Sequence, residues 1–141
     1  MLRIEITRNY DSYIVYDQHN NKVNHKVDCL KLKLLTNDII DSNNNIILSP
    51  VKTQPIPCVI LLDKIIYHKA NKVYYKCQPY NKKLPIFLVG KREKSNFVKA
   101  RKNQYVIIKF KEWVDQHPIG QILDTIGVQN YENTVRYLLL A

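Results

Sequence analysis

Apolar and polar side chains alternate along much of the chain, a period of two that predicts β-strands. The N-terminal run L-R-I-E-I-T alternates at every position. In residues 27–35, the alternation is expected to place Leu30, Leu32 and Leu34 on a buried face. Five short strands are therefore predicted in the first half, at residues 2–6, 12–16, 27–35, 38–40 and 46–48, the last two flanking the turn D-S-N-N-N at 41–45.

The second half repeats this pattern and then changes period at its end. Strands are predicted at residues 58–67, 73–77, 86–89, 104–113 and 120–126. Residues 130–140 instead predict a helix, with Asn130 as the N-cap. Tyr131, Val135, Leu138 and Leu139 share one face of that helix and are expected to form its packing side.

A proline-rich connection separates the two sets of strands. Residues 50–57 read P-V-K-T-Q-P-I-P, and prolines stiffen a chain while removing amide donors. We place the domain boundary there, with a first domain at residues 1–52 and a second at 53–141. Five short strands per domain fit an all-β protein of two small OB-type barrels in tandem, and a single β-sandwich is the alternative.

Positive charge is concentrated in the second half. The chain carries 22 basic and 12 acidic residues, a formal charge of +10. Between Lys69 and Lys111 there are 13 basic residues and one acid, Glu93. Clustering of this kind is typical of proteins with a polyanionic partner, and a solvated surface is the alternative.

Several classes of protein are disfavoured by what the chain does not contain. No apolar run reaches the length of a membrane span, so no membrane partner is expected. Cys29, Cys58 and Cys77 are widely spaced, and the four histidines are scattered. We therefore expect no metal, no cofactor and no disulfide, and a reducing intracellular location, with a virion as the other possibility.

One predicted strand has the composition of a surface that binds single strands. Lys72, Tyr74 and Lys76 occupy alternate positions, and the residues between them are apolar. Bases stack on aromatic rings while lysines pair with phosphates, so this face predicts a binding site for single-stranded RNA or DNA. An ordinary exposed strand face is the alternative.

The segment at residues 91–102 is the most basic part of the chain. Its candidate binding residues are Lys91, Arg92, Lys94, Phe97, Lys99, Arg101 and Lys102. Phe97 is expected either to stack on a base or to plug the end of a barrel. Lys109 and Lys111 extend the charge along the next strand, whereas Trp113 is expected to be a buried packing anchor.

Residues 109–127 contain the most specific pattern, a Trp followed by Pro-X-Gly and then Ile-Gly. Trp113, Pro118, Gly120 and Gly127 carry it, and Pro118 with Gly120 is expected to form a turn. The pattern resembles the second cold-shock-type OB domain of the RNase II (RNB) exoribonuclease family. The resemblance implies a cold-shock-like barrel in the second domain, with these four residues in structural roles.

Other segments extend the resemblance over about half of the chain. Residues 59–67 are similar to the first strand of that domain. Tyr74, Tyr75 and residues 79–89, P-Y-N-K-K-L-P-I-F-L-V, resemble its aromatic strand and its proline-containing segment. The family cleaves RNA with Mg²⁺ held by close-set aspartates. Here the eight aspartates are dispersed, and the nearest pair, Asp38 and Asp41, flanks a turn. The resemblance therefore implies an RNA-handling module that is not an enzyme.

Three hypotheses about function remain open from the sequence. The leading one is a non-catalytic protein that binds single-stranded nucleic acid, RNA above all, without sequence preference. The second is a structural or protein-interaction protein, for example of a virion, that keeps the OB architecture without binding RNA. The third is a subunit that supplies RNA to a separate nuclease chain.

Overall fold

The computed structural model describes residues 1–92 and 102–141. These residues form eleven strands, one short 3₁₀ helix at Pro50–Thr53 and one α-helix, α1, at Tyr131–Leu140. The strands are β1 (Leu2–Ile6), β2 (Tyr13–Tyr16), β3 (Lys22–Val23), β4 (Ile39–Ile40), β5 (Ile46–Leu48), β6 (Ile56–Ile60), β7 (Tyr67–Lys69), β8 (Lys72–Pro79), β9 (Phe87–Arg92), β10 (Gln104–Glu112) and β11 (Ile119–Val128). The mostly β character predicted from the alternation is confirmed.

Contacts between Cα atoms divide the chain into two compact units. Unit 1 contains Met1–Gln54 and Lys82–Pro85, and unit 2 contains Pro55–Asn81 and Ile86–Ala141. The sequence boundary at residues 52/53 stays a prediction.

Unit 1 is built on a five-stranded antiparallel sheet in the order β3-β2-β1-β4-β5. Central strand β1 buries alternate residues, and Ile4 and Ile6 pack against Val15 of β2. Within the residues described, the pairing does not return from β5 to β3, so this sheet is open at both edges. Two tandem barrels are therefore not confirmed.

The predicted strand at residues 27–35 is wrong. This segment turns instead, because the Asp28 carboxylate accepts a hydrogen bond from the Lys31 amide at 3.1 Å and Lys33 adopts a φ of 53°. Of the leucines expected on one buried face, Leu34 is buried, but Leu30 and Leu32 are 53% and 40% exposed. Local side chain–backbone bonding has replaced the strand that the alternation predicted.

The segment Lys82–Pro85 lies between β8 and β9 in the sequence but belongs to unit 1. The Thr36 hydroxyl donates to the carbonyl of Lys83 at 2.8 Å, and Arg8 Nε donates to the carbonyl of Leu84 at 2.9 Å. The Lys83 ammonium also pairs with Glu5 at 2.9 Å. Backbone carbonyls thus hold this segment, which sequence periodicity does not reveal.

Unit 2 is a closed five-stranded barrel. Its sheet runs β6-β10-β11-β9-β8, and β6 also pairs with β8, with Cys58 opposite Pro79 and Ile60 opposite Cys77. Strands β9 and β11 are parallel, and β7 extends the sheet beyond β8. The interior is filled by apolar residues that alternate along each strand: Cys58, Ile60, Val73, Tyr75, Cys77, Phe87, Val89, Val106 and Ile108. An OB-like barrel in the second half is confirmed.

The predicted strand at residues 58–67 is divided in the structure. Strand β6 ends at Ile60, and β7 begins at Tyr67 as half of a hairpin with β8. Ala70 and Asn71, the two residues of the hairpin loop, have φ values of 46° and 58°. Two positive φ values are typical of the tight turn that matches strand twist, but Ala-Asn is not its usual sequence.

The C-terminal helix is confirmed, and so is its cap. The Asn130 side chain accepts a hydrogen bond from the Asn133 amide at 2.9 Å. The predicted packing face is wrong, since Tyr131 and Leu139 are 84% and 81% exposed. The helix instead buries Tyr137, whose ring stacks on Tyr105 of β10 at 4.3 Å.

The Pro118–Gly120 turn is also corrected. Gly120 lies inside β11 opposite Phe110, and a Cβ there would lie 2.8 Å from Ile108 Cδ1. Only Gly127 among the three glycines has a left-handed backbone, with a φ of +128°. Gly120 is thus required for close packing and Gly127 for backbone conformation.

Candidate nucleic-acid interface

The outer face of β8 has the alternation predicted from the sequence. Val73, Tyr75 and Cys77 are buried in the barrel, whereas Lys72 and Lys76 are exposed. The lysines and Tyr74 therefore share one outward face. The neighbouring strands β7 and β9 extend this face on both sides of β8.

Three cations meet in one cross-strand row on this face. Lys72 lies opposite Lys69 of β7 on one side and opposite Arg92 of β9 on the other. All three are exposed. Like charges directly opposite each other on neighbouring strands repel and destabilise a sheet. A bound polyanion would remove that repulsion.

The next row along the same face is aromatic. Tyr74 lies opposite Tyr67 of β7 and Gly90 of β9, and the two tyrosine rings stack at 4.7 Å with an interplanar angle of 13°. A Cβ on Gly90 would lie 3.0 Å from the Tyr74 ring. Tyr74 is therefore enclosed between Tyr67 and Gly90, and Tyr67, 37% exposed, presents the accessible ring of the pair.

Sequence reasoning missed Tyr67 because residues 58–67 were interpreted as one strand that ended at this tyrosine. A signal was present in the phrase Y-H-K-A-N-K-V-Y, in which the two tyrosines are symmetric about the loop residues Ala70 and Asn71. In a two-residue hairpin, positions equidistant from the loop face each other.

A cavity of about 670 Å³ opens beside the tyrosine pair. Its volume falls in the range of small-ligand sites, roughly 300–1,000 Å³. The cavity is lined by residues of β7, β8 and β9, by Ile119 of β11 and by the connection between β10 and β11. The lining combines cations and carboxylates with apolar and aromatic groups: Ile66, Tyr67, Lys69, Tyr74, Lys76, Leu88, Glu112, Val114, Asp115, Gln116, His117 and Ile119.

Two hydrogen bonds shape the β10–β11 connection. The Trp113 indole N–H donates to the carbonyl of Asp115 at 3.0 Å, and the Leu88 amide donates to the carbonyl of Pro118 at 2.9 Å. Trp113 is half-buried rather than fully buried, and its role as a packing anchor stays a prediction. It directly follows β10, and its indole N–H bonds to the β10–β11 connection that lines the cavity.

The cavity perturbs two of its titratable side chains. Burial lowers the pKa of His117, and the nearby Lys76 ammonium acts in the same direction. Burial also raises the pKa of Tyr67, with smaller contributions from Tyr74 and from the carboxylates of Asp115 and Glu112. Cationic and anionic groups therefore both act inside one cavity.

The remaining predicted contacts are distributed more widely. Lys91 lies opposite Val73 and so points away from the face of Lys72, and Lys102 lies at the far end of β10 from Lys111. Lys109 and Lys111 are exposed on β10, which pairs with β6 and β11 rather than with β8 or β9. Four predicted residues lie outside the described part of the chain: Lys94, Phe97, Lys99 and Arg101.

In residues 1–92 and 102–141, no group of three or more His, Cys, Asp or Glu side chains is placed to hold a metal ion. No helix in those ranges has both the length and the apolar character needed to cross a membrane.

Comparison with known proteins identifies the type of domain. Residues 74–141, from β8 to the C-terminal helix, match the family model described as Dis3-like cold-shock domain 2 (CSD2). This domain is part of RNB-family exoribonucleases, so the resemblance predicted from the sequence is confirmed for this segment. The matched domain is a non-catalytic OB domain, a class that binds nucleic acid in general. A search of curated proteins finds no match to the chain.

Proposed function

We propose that this protein binds single-stranded RNA, without cleaving it, on the β7–β8–β9 face of the unit 2 barrel. The observation that carries the proposal is the row of Lys69, Lys72 and Arg92 directly beside the stacked pair of Tyr67 and Tyr74. The two rows are two residues apart along each strand, roughly 7 Å. A phosphate bound at the cations therefore places its base near the tyrosines.

The position of the face within the barrel supports the same function. Strands β6, β8, β9, β10 and β11 are the five barrel strands in chain order. OB folds bind oligonucleotides on their second and third strands, between the loop joining strands one and two and the loop joining strands four and five. Here those elements are β8 and β9, the connection that contains β7, and the connection that contains Trp113.

The binding mechanism follows from the two rows. The cations pair with phosphates and release counterions, which supplies affinity that depends on salt. The exposed ring of Tyr67 stacks on a base, and Tyr74 supports that ring from behind. Every base has a flat face, so this contact tolerates many sequences. We infer a role in guiding RNA, like that of the corresponding domains of RNB exoribonucleases.

A salt titration tests the cation row. The triple variant Lys69→Gln/Lys72→Gln/Arg92→Gln is compared with Lys22→Gln/Lys26→Gln/Lys31→Gln, which removes the same charge from exposed positions of unit 1. Fluorescence anisotropy with single-stranded RNA gives log Kd against log salt. The first variant should reduce the slope by about 2, at about 0.7 per lost phosphate contact, and the second should leave it unchanged. Equal reductions of the slope by both variants would show that the protein attracts RNA by its net charge alone.

The aromatic row has its own test. Tyr67→Ala should weaken RNA binding by about 1–3 kcal/mol, the usual loss when a base loses its aromatic partner. Tyr131→Ala is the matched control, because Tyr131 is 84% exposed on α1, a helix that packs on β10 and β11. Unchanged binding by Tyr67→Ala would argue against stacking on this ring.

One feature favours a second function, protein interaction. Tyr131, Val135, Leu138 and Leu139 form an exposed apolar stripe on α1. Apolar surface of this kind fits a protein partner, such as a separate nuclease or a virion protein. If the wild-type chain binds no single-stranded RNA but self-associates or binds a purified partner, and Leu139→Glu abolishes that association, this second function replaces the first.

A further inference from the structure

Two carboxylates occupy the otherwise basic cavity beside Tyr67. Glu112 ends β10, and Asp115 lies in the following connection, where the Trp113 indole holds its backbone carbonyl at 3.0 Å. Both side chains are exposed, and neither forms a salt bridge within the described residues. Both line the same cavity as Tyr67, whose pKa is raised by burial first and by Tyr74 and these two carboxylates to a smaller extent.

These carboxylates would weaken binding if the site held only phosphates, because their negative charge counteracts the attraction by the lysines. An ionised carboxylate accepts hydrogen bonds and cannot donate them, and it repels a phosphate. The sugar–phosphate chain is therefore favoured along Lys69, Lys72 and Arg92, while the carboxylate end of the cavity is left for the edge of a base. Tyr67 lines the same cavity as both carboxylates, so a base stacked on its ring would have an edge within this space.

We propose that the cavity formed by Tyr67, Glu112 and Asp115 is a base-selective subsite that prefers bases carrying an exocyclic amino group over uracil. This inference rests on the proposed RNA binding and adds a specificity to it. Cytosine presents an N4 amino donor, and carboxylates are known to accept from that group. Uracil presents a carbonyl oxygen at the same position, which a carboxylate repels.

Trp113 is a positioning residue for this subsite. Its indole bonds to the backbone of Asp115 and touches no base in the proposed arrangement. Trp113→Phe keeps an aromatic ring but loses the indole N–H, so it should reduce the preference for cytosine while the affinity for uracil stays nearly constant. A purely structural role would instead weaken both in proportion.

The sharpest test compares oligocytidine with oligouridine of equal length, because the two bases differ mainly in the group at position 4. Wild-type protein should bind oligocytidine about tenfold more tightly, the order expected for one hydrogen bond to a charged acceptor. In Glu112→Gln/Asp115→Asn, amides supply both donors and acceptors. The preference should fall below about twofold, mainly through tighter binding of oligouridine.

The matched control is Asp124→Asn/Glu132→Gln, which changes the net charge equally at two exposed positions of unit 2 outside the cavity. It should keep the tenfold preference. Equal binding of both oligomers by wild type, or a preference that survives the cavity variant, would overturn the base-selective subsite and leave RNA binding intact. Absence of binding to either oligomer would instead overturn the proposed function.

Discussion

Units 1 and 2 use their acidic residues in different ways. In unit 1, Asp17 and Asp41 accept hydrogen bonds from backbone amides of turns. The Asn21 amide lowers the pKa of Asp17, and the Asn45 amide lowers the pKa of Asp41. Asp38 is fully buried and accepts a bond from the Leu35 amide at 2.9 Å. In unit 2, Glu112 and Asp115 line a cavity instead. The comparison separates acids that build turns from acids that are available to a ligand.

The two sheets differ in closure as well. The unit 1 sheet ends at β5, whose Ile47 and Leu48 are more than half exposed, whereas pairing of β6 with β8 closes the unit 2 sheet. Closure removes free strand edges and leaves the connecting loops to form the rim of the site. The barrel therefore has a strand face and flanking loops of the kind that bind oligonucleotides.

The largest effect on stability should come from truncating a large side chain in the barrel interior. Phe87 is 0% exposed and meets Phe110 edge-to-face at 6.4 Å. Phe87→Ala should lower the free energy of unfolding by about 3–5 kcal/mol, through lost burial and a residual cavity. Urea unfolding followed by the fluorescence of Trp113, the single tryptophan, reports on unit 2. The exposed control Tyr131→Ala should change it by less than about 0.5 kcal/mol.

Replacing one acid in each unit tests their contrasting roles. Asp38→Ala leaves the buried Leu35 amide and the Ser49 hydroxyl without their acceptor, so it should lower the free energy of unfolding by about 1–3 kcal/mol. Asp115→Ala should leave stability within about 0.5 kcal/mol, because its carboxylate is exposed. Circular dichroism in urea measures both. A larger loss for Asp115→Ala would assign that acid to the fold.

Gly90 connects packing to binding within unit 2. Its backbone is not left-handed, but an added Cβ would lie 3.0–3.1 Å from the Tyr74 ring and Lys72. Gly90→Ala should therefore displace these side chains and weaken RNA binding about fivefold, or roughly 1 kcal/mol, while stability changes little. Gly120→Ala is the contrast: its Cβ would meet the buried Ile108, so stability should fall first. If both substitutions change RNA binding and stability to the same extent, Gly90 and Gly120 do not have these separate roles.

The smallest effect concerns an ion pair in unit 1. Hydrogen bonds from Lys83 and then Arg3 hold the pKa of Glu5 below its ordinary value of 4.5. The lowered pKa stabilises the folded protein at pH values above the pKa of this glutamate in the unfolded chain. This stabilisation is lost as the pH falls through the pKa of the glutamate in the folded protein. Because the pair is partly exposed, the contribution should be less than about 1 kcal/mol. Glu5→Gln should flatten the acid limb of the stability profile by that amount. If the acid limb does not change in Glu5→Gln, the ion pair of Glu5 with Lys83 has no measurable effect on stability.

Features set by neighbours in the sequence were predictable. The alternation of Lys72 to Pro79 correctly separates the outward lysines from the barrel interior, because side-chain direction in a strand alternates with each residue. The Asn130 cap and the turn at residues 41–45 were predictable for the same reason, since each depends on hydrogen bonds within a few residues. The basic character of the site was also visible in the sequence.

Features set by distant residues required the tertiary structure. Tyr67 reaches Tyr74 only through the hairpin, Tyr137 packs on the rings of Tyr105 and Tyr80, which are distant in the sequence, and closure depends on the pairing of β6 with β8. Likewise, nothing local places Glu112 and Asp115 beside Tyr67, more than forty residues earlier in the chain. The alternation of apolar and polar residues predicts which side chains face outward. The pairing of the strands decides which of those side chains lie next to each other. In this protein the sequence determined the composition of the binding face, and the pairing of the barrel strands decided the cavity.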